Sequence, residues 1–347
     1  MKTDEHRPGK ENTTMIIDVH THYRSKQIFD ELLKRGQMKI VVDSDGKKHV
    51  YDGEMYVFAM PEQYAEPDLE KRIEYLDQHG IDMQVLSTPR SSDYSAEEGP
   101  ELARITNDGI AAVVKKYPKR FVGLASIPVK NESKAFDELD RATQELGLKG
   151  ICISANIGGI PLDSDYLRPF YKKITDLDIP IFVHPGFPAG GDQMKDYGLI
   201  PIVGFEFDLI LAQAKLIYGG VLEEFPALKF VFSHLGGGTP FLKERLENGW
   251  GFAKMVPDKK ARISKPPSYY LERLYFETVS FYKPAIMCTI QCSGVDQILF
   301  GTDYPLYPLG DIPYAVKVIK ELDLCQSDKK KILGENAKKL FKINENR

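Results

Sequence analysis

The chain of 347 residues predicts an α/β fold, specifically a (β/α)8 TIM-like barrel. Short apolar runs rich in β-branched residues alternate with longer amphipathic segments along the whole sequence. Runs that are apolar throughout are typical of parallel strands buried on both faces, and eight strand–helix units are the number that closes such a barrel. An open doubly wound sheet is the alternative, but no glycine-rich dinucleotide motif follows the first strand.

The predicted strands are MIIDVH, MQVLST, FVGLAS, GICISA, IPIFVHP, KFVFSH, LYFETV and QILFGT, in that order. Segments between them, such as DLEKRIEYLDQHG and SKAFDELDRATQELG, have helical periodicity and stop signals at their ends. One stretch breaks the alternation, because IVVDSDGKKHVY predicts a β-hairpin whose turn contains Asp45 and Gly46. We therefore expect a disordered N-terminal tail over residues 1–14 and a single barrel over residues 15–347, with a small β-hairpin insertion after strand 1 at about residues 36–67.

The composition argues against several functional classes. A formal net charge of −4 gives no basic surface for nucleic acid. No stretch approaches the roughly 18 consecutive apolar residues of a membrane span, and the N-terminal residues lack the apolar segment of a signal peptide. Four cysteines in a chain of this length do not form a disulfide framework. We expect a cytoplasmic protein with neither a nucleic acid nor a membrane as partner.

Histidines and an aspartate stand at the ends of four predicted strands. His20 and His22 end strand 1 and share a face, because residues two apart in a strand point the same way. His184 ends strand 5, His234 ends strand 6 and Asp303 follows strand 8. Active sites of such barrels lie at the C-terminal ends of the strands. Five titratable side chains are therefore expected to converge on one face.

Burying that many titratable groups together costs several kcal/mol unless a ligand binds them. Neutral imidazole and carboxylate are ligands of Zn²⁺ and of other divalent transition metals, and catalytic sites keep one coordination position open. The pattern therefore predicts a metal site. A metal there would polarise a substrate oxygen or lower the pKa of a bound water to about 7.

The motifs DVHTH, FVHP, FSHLGGG and FGTDYP, in this order and at these strand ends, resemble the amidohydrolase superfamily. The similar branch contains aminocarboxymuconate-semialdehyde decarboxylase and related aromatic-acid decarboxylases and hydratases, and the similarity covers nearly the whole chain. The resemblance implies that His20, His22, His184 and Asp303 bind one divalent metal, with zinc expected and manganese as the alternative. Relatives with two metals carry a bridging lysine at the end of strand 4, and the GICISAN segment has none there.

The resemblance also implies the catalytic groups. His234 would be catalytic without being a permanent ligand, and would deprotonate or position the water. Asp303 would both bind the metal and transfer a proton to the reacting carbon.

A decarboxylase must hold an anionic substrate, so arginines near the strand ends are candidates. Arg90 directly follows strand 2, and Arg24 follows the paired histidines as a weaker candidate. Arg245 matches an arginine that in the family reaches across a dimer interface, which implies a homodimer. Aminocarboxymuconate-semialdehyde decarboxylase, after which the branch is named, resembles this chain but has a substrate-binding arginine in its insertion. This chain has no arginine there; the first one after the insertion is Arg72, in the helix that leads to strand 2.

Aromatic side chains flank the ligand motifs and are expected to wall an apolar pocket for a planar substrate. These are Tyr23, Phe187, Tyr304 and Tyr307. The first hypothesis is a metal-dependent carboxy-lyase that acts on a small aromatic or unsaturated carboxylic acid. The alternatives are a metal-dependent hydrolase of an amide, lactone or ester bond, a hydratase of an unsaturated dicarboxylate, and a binding or structural barrel with a relic site.

Overall fold

The computed structural model describes residues 14–53, 55–58, 68–258, 260–305 and 312–343. Parallel strands alternate with helices through these residues, in the order that the apolar runs predict. The barrel strands are Ile17–His22, Met83–Ser87, Phe121–Gly123 continued by Ala125–Ser126, Ile151–Ser154, Pro180–His184, Lys229–Phe232, Tyr275–Glu277 and Ile298–Leu299. All eight predicted runs therefore contain a barrel strand, and the predicted fold class is confirmed.

The strands form two hydrogen-bonded groups, and main-chain contacts close them into a barrel. Strand 1 pairs in parallel with strand 2, strand 2 pairs with the first half of strand 3, and strands 3 to 8 follow one another in order. Leu124, between the two halves of strand 3, donates its N–H to Leu86 O at 2.9 Å. On the other side, Val19 N–H donates to Phe300 O and His22 N–H to Tyr304 O, each at 2.8 Å. Strand 8 thus lies beside strand 1.

Most helices bury apolar residues against the strands, whereas Lys243–Ala253 and Gln326–Lys330 contain no buried residue. The longer helices are Lys26–Lys34, Leu69–Gln78, Gly99–Lys116, Glu132–Asp140, Arg168–Leu177, Phe205–Tyr218, Lys243–Ala253, Lys283–Ser293 and Ile312–Lys320. Shorter ones are Val221–Glu224, Pro267–Leu271, Gln326–Lys330 and Asn336–Leu340. Several begin at a side-chain cap, as where Asp68 accepts the main-chain N–H groups of Glu70 and Lys71. Among the residues that the structure describes, no helix has both the length and the apolar composition needed to cross a bilayer.

The predicted insertion after strand 1 is an antiparallel sheet. Met38–Val42 pairs with Lys48–Asp52, and Gly46 has the positive φ of +78° that the turn between them requires. The predicted hairpin is therefore confirmed, and the structure adds a third strand, Met55–Phe58, on the far side of Lys48–Asp52. The predicted tail over residues 1–14 lies almost wholly outside the described residues, as do residues 54 and 59–67 of the insertion. The division into a tail and a single barrel domain stays a prediction.

Candidate active site

Four side chains converge at the C-terminal ends of the barrel strands. His20 and His22 end strand 1, His184 ends strand 5, and Asp303 follows strand 8. Each offers one ligand atom, and these atoms all lie within 4.8 Å of one another. The Nε2 atoms of His20 and His22 are 3.2 Å apart, and Asp303 Oδ1 lies 2.7 Å from His22 Nε2. The structure therefore brings together the four residues predicted to be ligands.

Hydrogen bonds to the outer ring nitrogens set the tautomers of two of these histidines. His184 Nδ1 lies 3.0 Å from the Pro185 carbonyl oxygen, and His20 Nδ1 lies 2.9 Å from Glu277 Oε1. Both partners are acceptors, so each Nδ1 carries the proton and each Nε2 keeps its lone pair. Lone pairs that converge in a buried space repel each other unless a cation lies between them. The donor set therefore fits a divalent metal ion.

The protonation states of the histidines agree with this donor set. Burial is the largest influence on all three, and it lowers the pKa of His20, His22 and His184 well below the usual value. The imidazoles are therefore neutral at physiological pH, which is the form that binds metals.

Glu277 is a site residue that the sequence analysis missed. Its buried carboxylate ends strand 7 and accepts the His20 Nδ1–H, the His234 main-chain N–H at 2.5 Å and the Val279 main-chain N–H at 2.6 Å. Burial raises the pKa of Glu277 to about 7. Gly301 makes room for it, because a Cβ there would lie 2.4 Å from Glu277 Oε2. Glu277 stands at a strand end, like the predicted ligands, so the same reasoning would have identified it.

His234 lies beside the ligand cluster, with its ring centroid 5.4 Å from that of His20 and 6.0 Å from that of His184. Its Nε2 is buried, has no hydrogen-bond partner among the described residues, and lies 4.0 Å from Asp303 Oδ2. Its Nδ1 lies 3.0 Å from Oε1 of Glu206, in the first turn of the helix Phe205–Tyr218. Burial by itself lowers the pKa of His234, but the carboxylates of Glu206, Asp303 and Glu277 outweigh it and raise the pKa to about 9. Sequence patterns gave no signal for Glu206.

Three predicted site residues that follow a strand, Arg90, His234 and Asp303, have left-handed backbone conformations. The φ angle is +51° at His234 and +63° at Asp303. Residues other than glycine adopt this conformation at a cost, and such residues concentrate at functional sites. The sharp turns direct the side chains of His234 and Asp303 back over the strand ends.

Arg90, a predicted substrate-binding residue, is held by two carboxylates. Its Nη1 lies 3.3 Å from Asp52 Oδ1, and its Nε lies 3.5 Å from Asp93 Oδ2. Asp52 ends the second strand of the insertion and also lies 4.0 Å from Arg24 Nη2. Burial raises the pKa of Asp93 to about 6. The insertion is thus connected to the loop after strand 2 through this charged group.

Phe187 belongs to an apolar cluster that connects the insertion with the loops after strand 5. The cluster contains Met55, Ile200 and Phe205, with Phe187 packed against them. The Phe205 ring lies 6.1 Å from the His184 ring, centroid to centroid. The cluster therefore forms an apolar wall beside one of the predicted ligands.

The remaining predicted substrate residues lie elsewhere. Tyr23 is 7% exposed and packs in the main hydrophobic core. The Tyr304 ring lies 4.8 Å from the guanidinium carbon of Arg72. Arg245 is exposed on the helix Lys243–Ala253 and makes no hydrogen bond or ion pair with any described residue. Tyr307 lies outside the residues that the structure describes.

Comparison with known proteins identifies the family. The amidohydrolase family model matches residues 17–343. The 2-amino-3-carboxymuconate-6-semialdehyde decarboxylase of Dictyostelium discoideum is 32% identical over 342 residues, which cover 96% of this chain and 93% of that relative. The predicted family resemblance is therefore confirmed.

Two solved structures share the fold over nearly their full length. The 5-carboxyvanillate decarboxylase of Sphingomonas paucimobilis is 25% identical and superimposes with a TM-score of 0.83, covering 96% of this chain and 100% of that one. A dihydroxybenzoic acid decarboxylase of Polaromonas sp. JS666, with bound manganese and the inhibitor 2-nitroresorcinol, is also 25% identical. Its TM-score is 0.79, with 96% of this chain and 98% of that one covered. The chain is therefore a metal-dependent enzyme of the amidohydrolase family, in the branch that contains 2-amino-3-carboxymuconate-6-semialdehyde decarboxylase.

Proposed function

We propose that the protein is a carboxy-lyase that removes carbon dioxide from a small aromatic or unsaturated carboxylic acid. The observation that carries the proposal is the cluster at the strand ends, where four ligand atoms lie within 4.8 Å of one another beside His234 Nε2, a buried atom that has no hydrogen-bond partner in the described part of the chain. The similar proteins described above are decarboxylases, and their names give carboxylic acids as substrates. This similarity favours the lyase over the hydrolase and the hydratase.

In this proposal, His20, His22, His184 and Asp303 hold one divalent ion. When bound there, the ion supplies Lewis-acid polarisation of a substrate oxygen and charge stabilisation. Three imidazoles and one carboxylate are a donor set typical of zinc. Manganese is the alternative, because such sites accept several divalent metals and the Polaromonas structure contains manganese.

The chain's own residues would manage the proton. Loss of carbon dioxide breaks the bond between the carboxyl group and the retained carbon, which keeps the electron pair and must take up a proton. Glu206 fixes His234 with Nε2 toward the site and favours the protonated imidazole. Asp303 Oδ2, 4.0 Å from that Nε2, is placed to receive the proton and pass it to the carbon.

The walls of the site suit a planar anion. Arg90 would bind the substrate carboxylate and share its charge with Asp52, which holds it at the mouth. Phe187 would pack on the apolar part of the substrate, because its cluster continues through Phe205 to His184. In this proposal, Arg90 supplies a cation on the insertion side, and Phe187 supplies an apolar surface on the side of strand 5.

We also propose a homodimer in which Arg245 contributes to the partner's site. Phe241 and Phe252 are 84% and 71% exposed, at the start of and within the segment that contains Arg245. Phe207 and Leu211 are exposed on the helix Phe205–Tyr218, whose Tyr218 hydroxyl donates to Leu246 O of that segment at 2.6 Å. Sedimentation equilibrium of the wild type and of a Phe252→Asp variant tests this association. A wild-type monomer at micromolar concentration would remove the proposed role of Arg245.

The reaction is tested by metal analysis together with gas release. We expect about one divalent ion per chain and release of carbon dioxide from a dihydroxybenzoate or muconate-type acid. His184→Ala should lose the metal, whereas His234→Ala should keep the metal and lose turnover. Lactone opening without gas would point to the hydrolase, and addition of water to a double bond would point to the hydratase. Two ions per chain would contradict the proposed site.

A further inference from the structure

We propose that Arg72 is a positioning residue that holds the metal ligands of strands 1 and 8 in place. The inference rests on the metal site of the proposed function, but not on the identity of the substrate. Arg72 lies on the helix Leu69–Gln78 and is one of the largest side chains that the protein buries completely. A buried guanidinium is costly unless its surroundings compensate its charge. The groups that contact Arg72 therefore indicate which parts of the site it holds in place.

Arg72 contacts the main chain of a predicted ligand directly. Its Nη1 donates to the carbonyl oxygen of His22 at 3.0 Å. Its guanidinium carbon lies 4.8 Å from the centre of the Tyr304 ring, the residue that follows the ligand Asp303. These two residues are themselves joined, since the His22 N–H donates to Tyr304 O at 2.8 Å. One cation thus contacts both strand ends at the point where they meet.

A second path runs through buried side chains beneath the ligands. Arg72 Nε donates to Gln84 Oε1 at 2.8 Å, and Gln84 Nε2 donates to Asp18 Oδ2 at 2.9 Å. The hydroxyl of Thr302 donates to the same Asp18 oxygen at 2.7 Å. Every member of this chain of contacts is buried.

The ends of this second path carry ligands. Asp18 precedes His20 by two residues and accepts its main-chain N–H at 3.3 Å. Thr302 precedes Asp303, whose N–H donates to His20 O at 2.8 Å. Through both paths, Arg72 fixes the relative positions of His20, His22 and Asp303, although it contacts none of their ligand atoms.

Replacement of Arg72 tests this role when metal affinity and fold stability are measured separately. Arg72→Lys keeps the charge but loses the rigid guanidinium that donates to His22 O and to Gln84 from two separate nitrogens, and Arg72→Met removes both the charge and the bonds. We expect the dissociation constant of Zn²⁺ or Mn²⁺, measured by competition with a chromophoric chelator, to rise by about 10–100-fold in Arg72→Met and by less in Arg72→Lys. Circular dichroism of the metal-free variants checks their fold.

Arg120 provides the matched control. Its guanidinium also donates to main-chain carbonyls near strand 2, at Ile81 and Asp82, but these lie at the N-terminal end of that strand, away from the ligands. Arg120→Met should lower the melting temperature of the metal-free protein without changing metal affinity. If Arg72→Met does not fold, metal affinity is measured in Arg72→Lys and in Thr302→Val instead. Thr302→Val removes the hydroxyl that donates to Asp18.

A folded Arg72 variant with wild-type metal affinity would overturn the proposal and leave Arg72 a packing residue. Equal losses of metal affinity in the Arg72 and Arg120 variants would also overturn it, because the effect would then follow general destabilisation. Failure of the proposed function is distinguishable from either result. In that case the wild-type protein itself would bind no divalent metal, or would bind it without releasing carbon dioxide from any of the acids.

Discussion

Replacing Glu277 by glutamine removes one negative charge and adds an NH₂ group with two hydrogen-bond donors in a fully buried position. The carboxylate now accepts from His20 Nδ1 and from the His234 N–H with one oxygen, and from the Val279 N–H with the other. If the amide oxygen of glutamine takes the first position, its NH₂ group faces the Val279 N–H, donor against donor. If it takes the second, NH₂ faces His20 Nδ1 and forces the ring into the tautomer whose Nε2 carries the hydrogen.

Either orientation has a cost that can be bounded. A buried donor left without an acceptor costs about 1–3 kcal/mol, which should appear in the free energy of unfolding of the metal-free protein. Loss of the partner that orients a metal-binding histidine lowers metal affinity by about 10–100-fold, or about 1.4–2.8 kcal/mol. We therefore expect Glu277→Gln both to destabilise the protein and to weaken metal binding.

Chelator competition and thermal denaturation of the metal-free protein measure the two effects. Glu138→Gln is the control, because Glu138 is a buried carboxylate that accepts from Asn107 and Arg141, and among the described residues it bonds to no predicted ligand. The control should lose stability and keep metal affinity. Wild-type metal affinity in Glu277→Gln would refute the reasoning that its carboxylate sets the tautomer of His20.

Further predictions concern the charged groups around the site. Glu206→Gln removes the carboxylate that favours protonated His234, so the pKa of His234 falls and the limb of the pH–rate profile that reports it should move to lower pH; an unmoved limb would contradict this role. Arg90→Met should raise KM by about 10–100-fold with little change in kcat, since a charge-assisted hydrogen bond contributes about 1.5–3 kcal/mol; an unchanged KM would assign Arg90 to the insertion alone. Burial raises the pKa of Asp93 from 3.8 to about 6, so between these values Asp93 is protonated in the folded protein and ionised in the unfolded one. The free energy of unfolding therefore decreases as pH rises through that range. The difference in unfolding free energy between wild type and Asp93→Asn should therefore fall between about pH 4 and pH 6, as measured by urea denaturation; a constant difference would show that Asp93 titrates normally.

Apolar runs predicted the barrel strands because a parallel strand buried on both faces has apolar residues on both, and their number, eight, favoured a closed barrel over an open sheet. The run QILFGT predicted strand 8, although only Ile298–Leu299 is regular there, and the closure depends on main-chain N–H groups of strand 1 that donate to the carbonyl oxygens of Phe300 and Tyr304. The third strand of the insertion was not predicted. Its sequence, MYVF, is short and begins two residues after Gly53, and such a run has no periodicity that separates strand from loop.

Position at a strand end was enough to predict that the candidate ligands converge, since parallel strands in a barrel bring their C-terminal ends together. The division between metal ligands and catalytic groups came from the family resemblance. The rule fails for residues that reach the site from helices. Glu206 and Arg72 lie in helices whose charged residues resemble an ordinary solvated surface in the sequence. The rule also predicts where a residue lies but not where its side chain points. Tyr304 follows a ligand directly, yet its ring packs on Arg72.

The left-handed conformations of His234 and Asp303 place function and stability in conflict at two positions. Each such residue costs on the order of 1–3 kcal/mol, and glycine would relieve most of that cost. A library of variants of the metal-free protein screened only for heat resistance should therefore accumulate glycine or asparagine at these positions. The same library screened for turnover should instead retain His234 and Asp303. The two positions would then identify, from selection data alone, where the enzyme gives up stability for chemistry.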